Sequence, residues 1–235
     1  MSNHILFIGD SITEGKLGIS FVDMIKRRFP DIHCHNKGHG GDTLLEIKTR
    51  LIKILKEDKY KYSTIVIEAG HNDILLPHLK LRWPVMRIKW VTMVPQIGIV
   101  LDQMLKIIIS FTNAKIILTT LSCLGEIFGS QLNQKRRLIN EQIKVIGYRY
   151  NTSIADVGSF FDEIILDSNS SSYLLDNPIN IVFDYFRSKK LVWADKISRK
   201  RNLWLTIDGG HLNSKGAKIY CREISKILDN IFQYK

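Results

Sequence analysis

The sequence is short of several things, and each shortage removes a class of answer. Among 235 residues there are three cysteines, Cys34, Cys123 and Cys221, scattered and without paired or metal-like spacing. A disulfide framework and a cysteine-held zinc site are excluded as organising devices, and a reducing cytoplasm is the expected compartment. There is no internal repeat and no long low-complexity tract, which removes solenoid, fibrous and linker-like architectures. The N-terminal apolar run Ile5 to Ile8 is cut by Gly9 and Asp10, so no signal peptide is expected. The most apolar region, roughly 91–111, is interrupted by Pro95, Gln96, Gly98, Asp102, Gln103 and Lys106, which suits a buried or amphipathic helix better than a bilayer span. Acids are also in deficit: 23 Asp and Glu against 34 Lys and Arg leave a net charge of +11.

What is present is enough for a real core. With 45% hydrophobic and 24% charged residues, the chain has the composition of an ordinary globular protein, and its length suits one generous α/β domain over 1–235. The excess charge is local. Residues 78–90 carry Lys80, Arg82, Arg87 and Lys89 with no acid, and 187–201 carry seven Lys or Arg against Asp195 alone; these contribute +4 and +6 and leave the rest near neutral. All four tryptophans, Trp83, Trp90, Trp193 and Trp204, lie in or beside the same two stretches.

Short β-rich apolar runs alternate with longer helical patterns, the signature of βαβ units and a parallel sheet. Strands are expected at about 4–8, 31–36, 64–69, 115–120 and 152–156. Helices are expected at about 17–29, 43–57, 92–111, 131–150 and from Asn213 to Phe232, giving a three-layer α/β/α domain with a five-stranded parallel sheet. Two inserted segments do not fit the alternation: 74–91, with Pro77 and Pro84, and 158–205, where DSNSSS and Asn177-Pro178 mark loops.

Ligands of open parallel sheets bind beyond the carboxyl ends of the strands. Four polar clusters fall at such ends: Gly9 to Gly15 with Ser11, Asn36 to Thr43 with Gly41, Gly70 to Asp73 with His71 and Asn72, and Asp208 to His211 before the last helix. Singly, each has a plain structural reading. Ser11-x-x-Glu14 fits a helix-capping box, the glycines fit a tight turn, and the others fit polar loops. Together they support acyl transfer. A serine hydroxyl needs a base, and His211 has the suitable ordinary pKa. Asp208, three residues earlier, can orient one ring nitrogen so that the other faces Ser11. An oxyanion would find donors in the backbone N–H groups of Ser11 and Gly41 and the side-chain amide of Asn72, each worth about 3–4 kcal/mol in the transition state.

Ser11 in FIGDSITEG, Gly41 in NKGHGGDT, Asn72 in GHND and His211 in DGGH resemble, in order, the four blocks of the SGNH (GDSL-type) esterase/lipase family, over residues 5 to about 220. The resemblance implies a flavodoxin-like α/β/α fold, Ser11 as nucleophile, His211 as base with Asp208 as its orienter, and Ser11, Gly41 and Asn72 as the oxyanion hole. It implies no cofactor and no metal, and assigns Asp10 to supporting the turn. The two inserted segments depart from the pattern and leave the substrate class open.

Two other classes of answer were weighed. A metal-dependent phosphoesterase would use Asp10, Asn72, Asp73, Asp208 and His211 as ligands, but no histidine-rich cluster or second acid at a bridging spacing accompanies them. A binding module for an anionic polymer would explain the charge but not the four clusters, and no nucleic-acid-binding motif is present. His33, His35 and His39 suit surface positions better than zinc ligation, and Cys123 suits a small buried residue better than a nucleophile. The expected partner is a small-molecule ester, anionic or sugar-bearing, with an O-acetyl group on a carbohydrate as first choice. Lysophospholipid or thioester hydrolysis is the alternative if 74–111 forms an apolar wall. His71, Trp83, Trp193 and Trp204 are expected at the substrate cleft. Peripheral contact with an anionic membrane surface and the oligomeric state stay open.

Overall fold

Ile5, Leu6, Phe7 and Ile8 have no solvent exposure on either side, which only a strand covered by helices on both faces can achieve. They form β1 (His4–Gly9), and in the computed structural model, which describes residues 3–82, 89–175, 178–188 and 190–233, this strand lies second in a sheet of five. The others are β2 (His33–Gly38), β3 (Thr64–Ile67), β4 (Lys115–Thr119) and β5 (Ser153–Ala155), in the order β2-β1-β3-β4-β5 and all parallel. Strand order reverses between β1 and β3, so the chain leaves the two strands in opposite directions and opens a crevice at their carboxyl ends. β2 is the polar edge strand, where an uncovered face needs hydrophilic side chains.

The helices are α1 (Ser11–Glu14, a single turn), α2 (Phe21–Arg28), α3 (Leu44–Glu57), α4 (His71–Arg82), α5 (Ile97–Phe111), α6 (Gln131–Arg149), α7 (Val157–Leu166), α8 (Pro178–Arg187), α9 (Leu191–Lys200) and α10 (Ser214–Phe232). Alternate residues of the strands feed two cores. Leu6, Ile8, Ile65, Ile67, Ile116 and Leu118 pack with α3, α4, α5 and α6. Ile5, Phe7, Val66 and Ile117 pack with α2, α7, α9 and α10 on the other face. This is the α/β/α architecture expected from the sequence, with every expected strand and long helix present within a few residues. With its preceding turn, α5 is apolar and long enough to cross a bilayer by composition, yet it packs against α3 and α6 through Leu101, Met104, Leu105 and Ile108.

The two inserted segments are more regular than their turn residues suggested. Pro77 sits inside α4, which continues to Arg82 in spite of the lost N–H; residues 83–88 lie outside the described residues. In 158–205, α7 extends to Leu166 behind an Asp156 cap, and Pro178 starts a helix, because proline at a first helical position sacrifices a donor that has no intrahelical partner anyway; residues 176 and 177 lie outside the described residues.

Candidate active site

β1 ends in Gly9, and an added Cβ there would lie 2.2 Å from the Thr13 hydroxyl, so the turn that follows is too tight for a side chain. Asp10 caps α1, its Oδ1 accepting from the Ile12 N–H at 2.9 Å. The capping role that Ser11 could have filled therefore belongs to its neighbour, and the Ser11 hydroxyl is left facing His211, with Oγ 3.0 Å from Nε2. His211 comes from the loop before α10. Its Nδ1 lies 2.7 Å from Asp208 Oδ2, while Asp208 Oδ1 accepts from the backbone N–H groups of His211 and Gly210 at 2.8 and 3.0 Å. Burial alone would push the Asp208 carboxyl up and His211 down. The attraction between them outweighs burial on both sides, so Asp208 is held below and His211 above its ordinary value. A hydroxyl, an imidazole and a carboxylate in this chain can pass a proton from Ser11 to His211 and stabilise the resulting imidazolium.

The loop after β2 closes on the serine. Gly41 has φ +78°, which disfavours any other residue, and an added Cβ on Gly40 would stand 3.9 Å from Ser11 Cβ. Lys89 reaches in to donate to the Gly41 carbonyl at 2.9 Å and to Glu46 at 3.0 Å. Arg50 ties the strand ends together, donating to Gly9 O, Lys37 O and the Asp42 carboxylate. Asn72, at the start of α4, donates through Nδ2 to Asp42 O at 2.9 Å and to Asp10 Oδ2 at 3.3 Å.

Behind the serine lies a buried polar group. His71 Nδ1 is 2.7 Å from Glu68 Oε1, and its Nε2 is 3.1 Å from Ser122 Oγ; Glu68 Oε2 accepts from the Thr13 hydroxyl at 3.1 Å. Burial, reinforced by the neighbouring Glu68 charge, pushes Asp10 well up; burial likewise raises Glu68 and lowers His71. Among the described residues, Asp10, Glu68 and His71 are the trio whose donor atoms lie close enough together to hold a metal ion, and all three are already engaged in the hydrogen bonds just given.

Over residues 7–219 the chain matches the family described as GDSL-like lipase/acylhydrolase. The chain belongs to this family. As a GDSL-like acylhydrolase it is a carboxylic ester hydrolase. No curated protein matches it in sequence. Its fold is similar to that of LAE5, an α/β hydrolase enzyme from the metagenome of Lake Arreo, Spain, at 16% identity over 95% of this chain and 93% of that one, with a TM-score of 0.64. It is similar too to a member of the lipolytic G-D-S-L family from Veillonella parvula, at 14% identity over 95% and 97%, TM-score 0.63. The acetylxylan esterase Axe2 from Geobacillus stearothermophilus aligns at 19% identity over 95% and 92%, TM-score 0.63.

In this GDSL-like hydrolase a cavity of about 290 Å³ opens in front of Ser11, touching Gly41, Asn72 and His211. Its far wall is Leu75 and Leu79 from α4, Leu124, Leu175, and Ile181 and Tyr185 from α8. The expected cleft residues fare unevenly. His71 lines the cavity from behind but is 3% exposed with both ring nitrogens occupied, so it is part of the scaffold under the serine. Trp193 and Trp204 do not line this cavity; Trp204 borders a separate depression with Asp195 and Lys215, and the backbone of 204–206 is pinned. Trp83 lies outside the described residues. The pin is Glu126, a buried carboxylate that accepts from the backbone N–H groups of Trp204, Leu205 and Thr206 and so fixes the loop carrying His211. Sequence reasoning missed Glu68, Arg50 and Glu126. Glu68 alone left a signal, an acid at the end of an otherwise apolar strand run. Of the other histidines, His33 and His35 meet His4 at the opposite end of the sheet, His4 Nδ1 lying 2.7 Å from His35 Nε2, and His39 pairs with Asp42. Cys123 is fully buried, which pushes its thiol well up.

Proposed function

We propose that the chain is a serine esterase that forms a transient acyl-serine at Ser11 and takes esters whose acyl group is an apolar chain of several carbons. The observation that carries the first half is the continuous chain Ser11 Oγ, His211 Nε2, His211 Nδ1, Asp208. Ser11 attacks the ester carbonyl as its proton passes to His211. The oxyanion accepts from the N–H groups of Ser11 and Gly41 and from Asn72, whose longer bond, to Asp10, is the one exchanged for it. Burial, reinforced by Glu68, pushes the Asp10 carboxyl well up, which weakens its opposition to the negative charge developing beside it. His211 then protonates the departing alcohol and activates the water that releases the acid.

The second half rests on the cavity wall. Leu75, Leu79, Leu124, Leu175 and Ile181 make most of the far wall apolar, with Glu14, Lys16 and Tyr185 as the polar side chains beside them, and each methylene the aliphatic wall buries contributes about 0.8 kcal/mol. An O-acetyl ester on a carbohydrate is the second reading, favoured by the fold's likeness to an acetylxylan esterase. Profiling kcat/KM over acetyl to decanoyl esters of one alcohol separates them: the proposal expects a maximum at medium chain length, and a maximum at acetyl with decline thereafter overturns it. Labelling with a fluorophosphonate should place the adduct on Ser11; an adduct elsewhere, or none on active enzyme, overturns the acyl-serine route.

A further inference from the structure

α8 is amphipathic the wrong way round. Asp184 within it and Ser188 just beyond its end are buried and bond to Arg201 at 2.5 Å and to the Gly18 N–H at 2.8 Å, whereas Val182, Phe183 and Phe186 face solvent. Across the turn, α9 continues the pattern with Leu191, Val192 and Trp193 exposed. Phe186 is 73% and Val192 74% exposed; large apolar side chains are exposed elsewhere too, Trp90 and Tyr148 among them, but here Val182, Phe183, Phe186, Leu191, Val192 and Trp193 fall within one helical pair.

The exposed charges carried by the described residues of the pair itself are of one sign, although Leu191 borders a depression that Glu14 and Asp23 also line. Arg187, Lys190, Lys196, Arg199 and Lys200 are exposed on α8, α9 and the turn between them. Lys196 lies over the Trp193 ring and Arg187 over the Phe183 ring, at 5.1 and 5.6 Å from the centroids. The two acids of the described part of this pair are both withdrawn: Asp184 into its bond with Arg201, and Asp195 onto the backbone N–H and hydroxyl of Ser214 at 3.1 and 2.7 Å. An apolar ridge rimmed by cations whose long stems run beside aromatic rings is complementary to a bilayer interface, with acyl chains below and anionic headgroups at the level of the cations. A protein partner would have to supply an apolar groove rimmed with acids; an anionic bilayer supplies both features over any area.

We propose that the α8–α9 pair is the surface by which this protein docks on an anionic lipid bilayer. Ile181 and Tyr185, on the inner side of the same helix, line the cavity in front of Ser11, so docking holds the cavity mouth next to the membrane. The docking itself stands on the ridge and its cations and is read apart from hydrolysis, so failure of the acyl-chain reading leaves it intact.

The test is flotation of the full chain with vesicles of phosphatidylcholine alone or with about a third of the lipid replaced by phosphatidylglycerol. The expected result is partitioning at least about tenfold stronger on the anionic vesicles, since several cations each add attraction, and a decline as salt shortens the screening length. The double variant Phe186→Ser/Val192→Ser should lower that partitioning about tenfold by removing apolar anchorage, with turnover of a water-soluble ester unchanged. Lys190→Glu/Lys196→Glu should abolish the preference for anionic vesicles. Equal partitioning on both vesicles, no partitioning on either, or self-association that the Phe186/Val192 variant dissolves in place of vesicle binding each overturns the proposal.

Discussion

Behind Ser11 stand Asp10, Glu68, His71 and Asn72, all buried and joined by hydrogen bonds; in front of it stand Leu75, Leu79, Leu124, Leu175 and Ile181, an aliphatic wall that Tyr185 completes. The two walls differ in how they tolerate change. A buried polar network fixes geometry through bonds of 2.7 to 3.3 Å, and removing one member leaves others unsatisfied. An aliphatic wall is non-directional, and its contribution scales with the area it covers. The rear wall is therefore where the chemistry should fail, and the front wall is where the choice of substrate should move.

The largest effect is expected at the junction of the walls. Ser11→Ala and His211→Ala should each lower kcat by at least about 10⁴-fold with the fold retained by circular dichroism, and the double variant should be little worse, because the pair acts as a unit. Additive losses would break the assignment. Next comes Asn72→Ala, expected to cost about 10²–10³ in kcat with KM nearly constant, since its donor acts on the oxyanion; a change in KM alone would move Asn72 to ground-state binding. At the front wall, Ile181→Trp should fill the cavity and cut kcat/KM for an octanoyl ester about tenfold, the worth of roughly two buried methylenes, while sparing the acetyl ester. Equal losses on both esters would erase the distinction between walls. The pH profile is a finer probe. His211 must be neutral to accept the serine proton, and its pKa is raised in the folded protein, so kcat/KM should fall with decreasing pH through a midpoint above the ordinary histidine value of about 6.5. A midpoint at or below that value would contradict the Asp208 contact. The smallest effect is expected from Trp204→Ala, less than about twofold, because it borders a different depression; a typical surface substitution changes little.

The sheet and the site's centre were legible because each depended on neighbours in sequence. Ile5 to Ile8 must be a strand covered on both faces, and whatever follows it must stand at the sheet's open end, so Ser11, Gly41 and Asn72 converge as soon as the strands are parallel. The α8–α9 pair was illegible for the opposite reason. Ile181 and Ala194 face inward, but Asp184 is also inside while Phe183 and Phe186 are outside, so the hydrophobic pattern gives no single face by which to orient the pair. Trp193 and Trp204 misled in the same way: aromatic character next to basic residues says that a surface is sticky, not which surface it is. Glu126 and Arg50 escaped because their work is done on backbone groups far away in sequence, and backbone acceptors and donors leave no mark on the residue string.

Ser11 and His211 are 200 residues apart, and the Glu126 carboxylate, the Asp208 turn and the Ile19 N–H donating to Leu212 O hold the last loop beside the end of the first strand. Contacts of such high sequence separation are entropically costly to close and form after local ones. Ser11 is therefore synthesised long before His211, and until this contact closes its hydroxyl lacks the imidazole that faces it in the folded protein. On the proposed acyl-serine route, hydrolytic activity is a readout of the closing of this 200-residue loop.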